Sequence, residues 1–356
     1  MKRNEFLKTL GAGSVALAGS SAMATSFAAS SSENSESPVM NPGVAEQNAS
    51  KIKLGVSLYS YQHAIETHDM TLEDCLAELN SIGAESVQII DGISIANFPN
   101  PTQEWVDRWF EMLDKYKLTP SLMDTFLDLY NGWRAPEMTL DEQIEQMVRD
   151  MKLARRLGYK IIRPTSGSVS SPLGEWLDKV VPYAEDLDVR VCPELHSPIP
   201  LKGEFVDRIM NVIIKTGTKH IGFTLDMGDF DIQTRTQTQG QGAARPPQGA
   251  QGGQGGGQGQ GYGGGQSREP NDPKDIVPLL PYIYNMHGKF YDMSDPKTEE
   301  TYAKVFKVLV DNGYSGSIDS EYEGQRNLQN DWCTPIQEVY QVRKHHIMMR
   351  KLLGRL

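Results

Sequence analysis

Four short segments in the second half of the chain each end an apolar, strand-like run on a side chain able to ligate a metal ion. They are VRVCPEL with Glu194, IGFTLDM with Asp226, IYNMHGKF with His287 and GSIDSEYEG with Glu321. Three carboxylates and one imidazole make an oxygen-rich donor set that suits one hard or borderline divalent ion, Mn²⁺, Mg²⁺ or Co²⁺, with Zn²⁺ also compatible. Two carboxylates on opposite sides of such an ion can do more than ligate. They can take and return a proton at a carbon held between them while the ion polarises an adjacent carbonyl or hydroxyl oxygen. That chemistry is proton abstraction next to a carbonyl, and sugars suit it because they bring a vicinal oxygen pair to chelate. Taken singly, each residue has an ordinary explanation as a helix cap, a surface carboxylate or a packed histidine. Their order at successive strand ends is what marks a site.

Side chains at successive strand ends meet at one place only if the strands are parallel and closed into a barrel, whose active site lies at the C-terminal mouth. From residue 51 the chain alternates in that way. β-Branched and apolar runs occur near 52–58, 86–90, 119–123, 160–165, 189–195, 220–226, 283–288 and 316–321. Between them lie amphipathic segments. After Thr71, Leu72, Cys75, Leu76, Leu79 and Ile82 recur at helical spacing up to Gly83; Leu140 to Leu157 do the same up to Gly158. Residues 334–354 supply an eighth helix, with His345 and His346 expected to face solvent. The pattern predicts a single α/β (β/α)₈ TIM barrel over 51–356.

One segment interrupts it. Residues 233–268 are almost entirely Gln and Gly, cannot bury an apolar face, and are expected to be a disordered insertion in the loop after strand six. A second departure is the start of the chain. Lys2, Arg3 and Lys8 precede a mildly apolar Ala/Gly/Ser run with small-residue cleavage sites at Ala22-Met23-Ala24 or Ser26-Phe27-Ala28. Residues 1–28 thus read as an export signal, twin-arginine-like but with Asn4 where the second Arg would stand, and 29–50 as a flexible linker. The expected location is the periplasm or the cell exterior. No other stretch offers the roughly 20 apolar residues of a membrane span. The formal charge of −11 argues against nucleic acid, which demands clustered Lys and Arg. Cys75, Cys192 and Cys333 are far apart, so no disulfide framework follows. Cys192 is expected as a packing residue, with a thiolate ligand as the alternative.

On these motifs, PELH, TLDMGD, MHGKFYD and SEYEG, the chain from about residue 52 to 325 resembles the xylose-isomerase-like TIM-barrel family of sugar (phosphate) isomerases and epimerases. The resemblance implies that Glu194, Asp226, His287 and Glu321 hold the metal and that Glu194 and Glu321 are the catalytic acid/base pair. Lys289 and Asp292 fall in the family's H-x-K-x-D-like stretch, here longer by one residue. Many members carry a His three residues after the strand-six Asp; this chain has Asp229 there, and His196 could supply a replacement imidazole. Arg163, Tyr59 and Gln88 are further candidate sugar contacts. The barrel is shared with endonuclease IV, but that enzyme's trinuclear zinc site needs several additional His ligands, and this chain has only seven His, two of them in the last helix.

Export favours a non-phosphorylated carbohydrate as substrate. Three functions are compatible with the residues: a metal-dependent sugar isomerase or epimerase, a lyase that cleaves 3-keto-glycosides by β-elimination after the same first half-step, and an exported carbohydrate-binding protein without turnover. A homo-oligomer is compatible with all three.

Overall fold

The strand-like runs pair as their apolar, β-branched content predicts. A computed structural model describes residues 42–125, 139–164, 173–197, 199–230, 270–324 and 337–356. Its strands are β1 (Lys53–Ser57), β2 (Ser86–Ile90), β3 (Thr119–Thr125), β4 (Ile161–Pro164), β5 (Arg190–Val191), β6 (Glu194–Leu195), β7 (Phe223–Asp226), β8 (Ile283–Phe290) and β9 (Ser317–Tyr322). All pairings are parallel, in the order β5-β4-β3-β2-β1-β9-β8-β7-β6. The two outermost members of that order, β5 and β6, belong to one stretch of chain divided by Cys192 and Pro193. Proline cannot donate to a ladder, so the strand breaks there. The Cys192 N–H donates to the Ile162 carbonyl and the Thr224 N–H to the Pro193 carbonyl, and Val191 bridges Ile221. Strand five therefore joins both neighbours, and the eight-stranded parallel barrel closes.

The helices have local reasons to start and stop where they do. Thr71 and Asp74 form a capping box ahead of Leu72–Ser81, and Thr139 and Glu142 do the same for Leu140–Arg156. Gly83 and Gly158 follow with φ of 79° and 87°, conformations that cost a residue with a Cβ. The helices pack their apolar faces on the outside of the sheet. Among the described residues no helix is long and apolar enough to cross a membrane.

Two expectations change. The linker is helical at its end: Pro42–Ala49 forms a helix, and the Asn48 side chain donates to the Val310 carbonyl. His345 and His346 have no solvent exposure. The helix Glu338–Leu352 lies over β8 and β9 and turns its histidines inward. There His345 stacks on Phe290 at 4.0 Å between centroids, and its Nδ1 lies 2.9 Å from Ser320 Oγ. Burial lowers the pKa of both rings, His346 to about 4, so they are neutral packing groups. The leader at 1–28, the rest of the linker and the insertion at 233–268 lie outside the described residues. The insertion's flanks are close together, because the Asn271 N–H donates to the Asp229 carbonyl at 3.1 Å. The excursion leaves and rejoins the barrel at one point, just beyond β7.

The barrel interior carries a polar layer below the mouth. Ser86 Oγ donates to Asp319 Oδ1 at 3.2 Å and Asn285 Nδ2 to Asp319 Oδ2 at 2.7 Å, all fully buried. Gly55 makes room for it: a Cβ there would overlap Asp319 Oδ1 and Ser86 Oγ. Gly55→Ala is expected to cost about 1–3 kcal/mol of stability by overpacking, read as a lower denaturant midpoint with an unchanged slope. An unaltered midpoint would show that the layer yields.

Candidate metal centre

Each strand end delivers its side chain by register. Asp226 on β7 is the direct partner of His287 on β8, and Lys289 on β8 is the partner of Glu321 on β9. Because strand side chains alternate, His287 and Lys289 share a face, as do Asp319 and Glu321. Glu194 arrives from β6, beside β7. The result is one cluster: Glu194, Asp226, His287 and Glu321 are all buried, and one ligand atom from each lies within 4.8 Å of every other. His287 Nδ1 is the atom turned toward the carboxylates, 2.7 Å from Glu194 Oε1 and 3.4 Å from Glu321 Oε2. Cys192 is buried but stands outside this group.

The surroundings are also charged. Arg163 Nε lies 2.8 Å from Asp124 Oδ1, and its terminal nitrogen lies 3.4 Å from Glu194 Oε2 and 3.9 Å from Glu321 Oε1. Lys289 Nζ lies 2.6 Å from Asp226 Oδ2 and 3.4 Å from both Glu321 and Glu323. Five carboxylates thus face two permanent cations, an excess of three negative charges if His287 is neutral. Such an excess is costly in a buried site. The ionisation of the residues reflects it. Burial lowers the pKa of His287, but the carboxylates of Glu321 and Glu194 outweigh that and lift it to about 9. Burial would raise Glu194; Arg163 and His287 prevail and hold its carboxyl well below the usual range. Burial raises Asp226 despite Lys289, and raises Asp124 to about 6 despite Arg163 and His287. Three side-chain oxygens and one imidazole nitrogen, gathered where negative charge is in excess, fit one divalent cation.

The other sequence candidates are distributed around this cluster. The His196 side chain is 34% exposed, with Nε2 3.8 Å from Asp226 Oδ2. Its Nδ1 lies 2.5 Å from the Ser197 carbonyl oxygen, which can only accept, so Nδ1 carries a proton and Nε2 faces the cluster. Asp229 is buried in the 3₁₀ turn Met227–Phe230 directly after Asp226. Tyr59 is nearly buried in the turn that follows β1. Two candidate sugar contacts pair with Asp124. Gln88 is fully buried and donates to Asp124 Oδ2 at 2.5 Å, and Arg163, 5% exposed, is taken up by the carboxylates. Asp292 lies apart: it is exposed and accepts from Ser294 and Gln341.

Asp124 and Glu323 were not among the sequence candidates. Asp124 sits near the end of β3, with Oδ1 3.9 Å from His287 Nε2. It obeys the strand-end rule that singled out the four ligands. Glu323 follows Glu321 by two residues, and the SEYEG run carried that signal.

Residues 76–341 match the family described as xylose isomerase-like TIM barrel. Among curated proteins, the chain is 24% identical over 350 residues to a C-glycoside deglycosidase alpha subunit of Arthrobacter globiformis, covering 88% of this chain and 95% of that one. It is 26% identical over 348 residues to the 3'-dehydrocarminate deglycosidase alpha subunit of a Microbacterium species, covering 85% and 96%. Among solved structures, an L-ribulose 3-epimerase superposes with a TM-score of 0.56 at 13% identity, over 85% of this chain and 95% of that one, a likeness of fold.

Proposed function

Since the chain belongs to the xylose isomerase-like TIM-barrel family, we propose that it is a divalent-metal-dependent enzyme that removes a proton from the carbon beside a carbonyl of a non-phosphorylated sugar. The observation that carries this is the buried Glu194–Asp226–His287–Glu321 cluster at the strand ends. Those four residues would hold Mn²⁺, Mg²⁺ or Co²⁺, with Zn²⁺ as the borderline alternative. When bound, such an ion supplies Lewis-acid polarisation of the sugar oxygens.

The proton chemistry falls to the chain. Glu194 lies against Arg163 and His287, and Glu321 against Arg163, His287 and Lys289, so both carboxylates face the cations of the site. We assign Glu194 and Glu321 as the acid/base pair, with proton removal given to Glu321. His196, partly exposed and with Nε2 toward the cluster, can accept a hydrogen bond from a substrate hydroxyl.

Two outcomes share this half-step. Returning the proton to the other face or to the neighbouring carbon gives an epimerase or isomerase. Alternatively, on a 3-keto-glycoside, the C2 proton passes to Glu321, the C2–H electron pair forms a C1=C2 double bond, and the C1 substituent leaves with its bonding pair and takes a proton from solvent. The near full-length relatives are named deglycosidases, one of a 3'-dehydro compound, which supports elimination for this chain. Those relatives are also named alpha subunits, so we extend the expected assembly to include a second, different chain. The leader-like start supports export as the setting.

Product analysis of metal-loaded protein offered a 3-keto-glucoside beside free hexoses and pentoses tests the choice. Elimination predicts release of the aglycone and an unsaturated keto-sugar. A new epimer or isomer of a free sugar, with the glycoside intact, would support the isomerase or epimerase instead.

A further inference from the structure

We propose that Glu323, held by Tyr291, positions Lys289 as a resident counter-ion and so sets how tightly the Glu194–Asp226–His287–Glu321 site holds its divalent ion. This rests on the metal reading above. Lys289 Nζ meets three carboxylates: Asp226 Oδ2 at 2.6 Å, Glu321 Oε2 at 3.4 Å and Glu323 Oε1 at 3.4 Å. The first two belong to the ligand set; the third does not. An ammonium resting on ligand oxygens competes with a divalent ion for them. Its side chain is only 2% exposed, so it cannot retreat to water and must stay paired when an ion takes Asp226 and Glu321. Glu323 is the carboxylate that can then keep it.

Glu323 is built for that position. Its backbone N–H donates to the Phe290 carbonyl at 3.0 Å, which extends the β8–β9 pairing past Tyr322. Its other carboxylate oxygen, Oε2, accepts from Tyr291 Oη at 2.8 Å, which leaves Oε1 toward Lys289. Asp292, the acid that shares the H-x-K-x-D-like stretch with Lys289, is occupied elsewhere by Ser294 and Gln341.

The test is a Mn²⁺ titration of metal-stripped protein, with affinity as the readout, on wild type, Glu323→Gln, Lys289→Met and the double variant. Glu323→Gln is expected to bind about tenfold more weakly, the size of effect seen when a partner of a metal ligand is lost. In the Lys289→Met background the same change should cost less than about threefold, because the counter-ion it positions is gone. Tyr291→Phe, which leaves every charge in place, should weaken binding in the same direction by a smaller factor and guards against a fold defect in the Gln variant. Equal losses in both backgrounds, or no loss with Glu323→Gln, would overturn the role. A wild-type chain that binds no Mn²⁺ would overturn the metal reading itself, and the role with it.

Discussion

His287→Ala is expected to leave the purified chain without a stoichiometric divalent ion and to lower kcat/KM by more than about 10³-fold, several kcal/mol of transition-state stabilisation. His287 supplies the nitrogen of the cluster, and its Nδ1 faces Glu194 and Glu321. Removing the ring leaves three carboxylates beside Arg163 and Lys289. Those cations are then free to lean further onto the oxygens that an ion would need. Asp226→Ala should behave in the same way, since it removes the oxygen donor supplied by β7. Elemental analysis after stripping and reloading measures both. A charge-removing change far from the mouth, Lys115→Ala, is the control, because Lys115 pairs with Glu73 on the outer surface. Retention of one ion per chain by both ligand variants would show that the cluster is not the binding site.

Glu321→Gln is expected to abolish turnover by about 10³-fold or more while the chain still loads with ion at raised concentration. The amide keeps a ligand oxygen of nearly the same shape but cannot take a proton. At saturating metal the loss therefore reports proton transfer rather than binding. Glu194→Gln should also lower turnover, because it removes the other carboxylate of the pair together with a charge that faces Arg163 and His287. A Glu321→Gln chain with undiminished biological activity would favour the carbohydrate-binding protein over any enzyme.

The barrel was legible because each strand carries its own local signal. The eight apolar runs anticipated from the sequence coincide with the observed strands to within a few residues, and the capping residues Thr71 and Thr139 mark helix starts in one dimension as well as in three. The four-residue cluster was legible for a related reason: a parallel barrel turns strand ends into neighbours, so order along the chain becomes proximity. Partnerships across the barrel were not. Arg163 resembled a sugar contact because an arginine at a strand end is free on paper; only the register with β3 shows Asp124 as its partner. Gln88 likewise has Asp124 as its partner, 36 positions away. His345 and His346 were misread because a basic, His-rich helix end suggests solvent, whereas aromatic stacking on Phe290 and a hydroxyl from Ser320 make His345 a core residue. The end of the linker was assigned from polar composition, which says nothing of the Val310 carbonyl waiting for Asn48.

The central claim is that this cluster, with an ion bound, takes a proton from a carbon next to a sugar carbonyl. Proton NMR in D₂O on stoichiometrically loaded wild-type protein with a 3-keto-glucoside tests it most directly. The account predicts loss of the C2 proton signal together with release of the aglycone, and neither event after the ion is chelated away. An unchanged C2 proton and an intact glycoside, with free sugars equally untouched by deuterium, would contradict it.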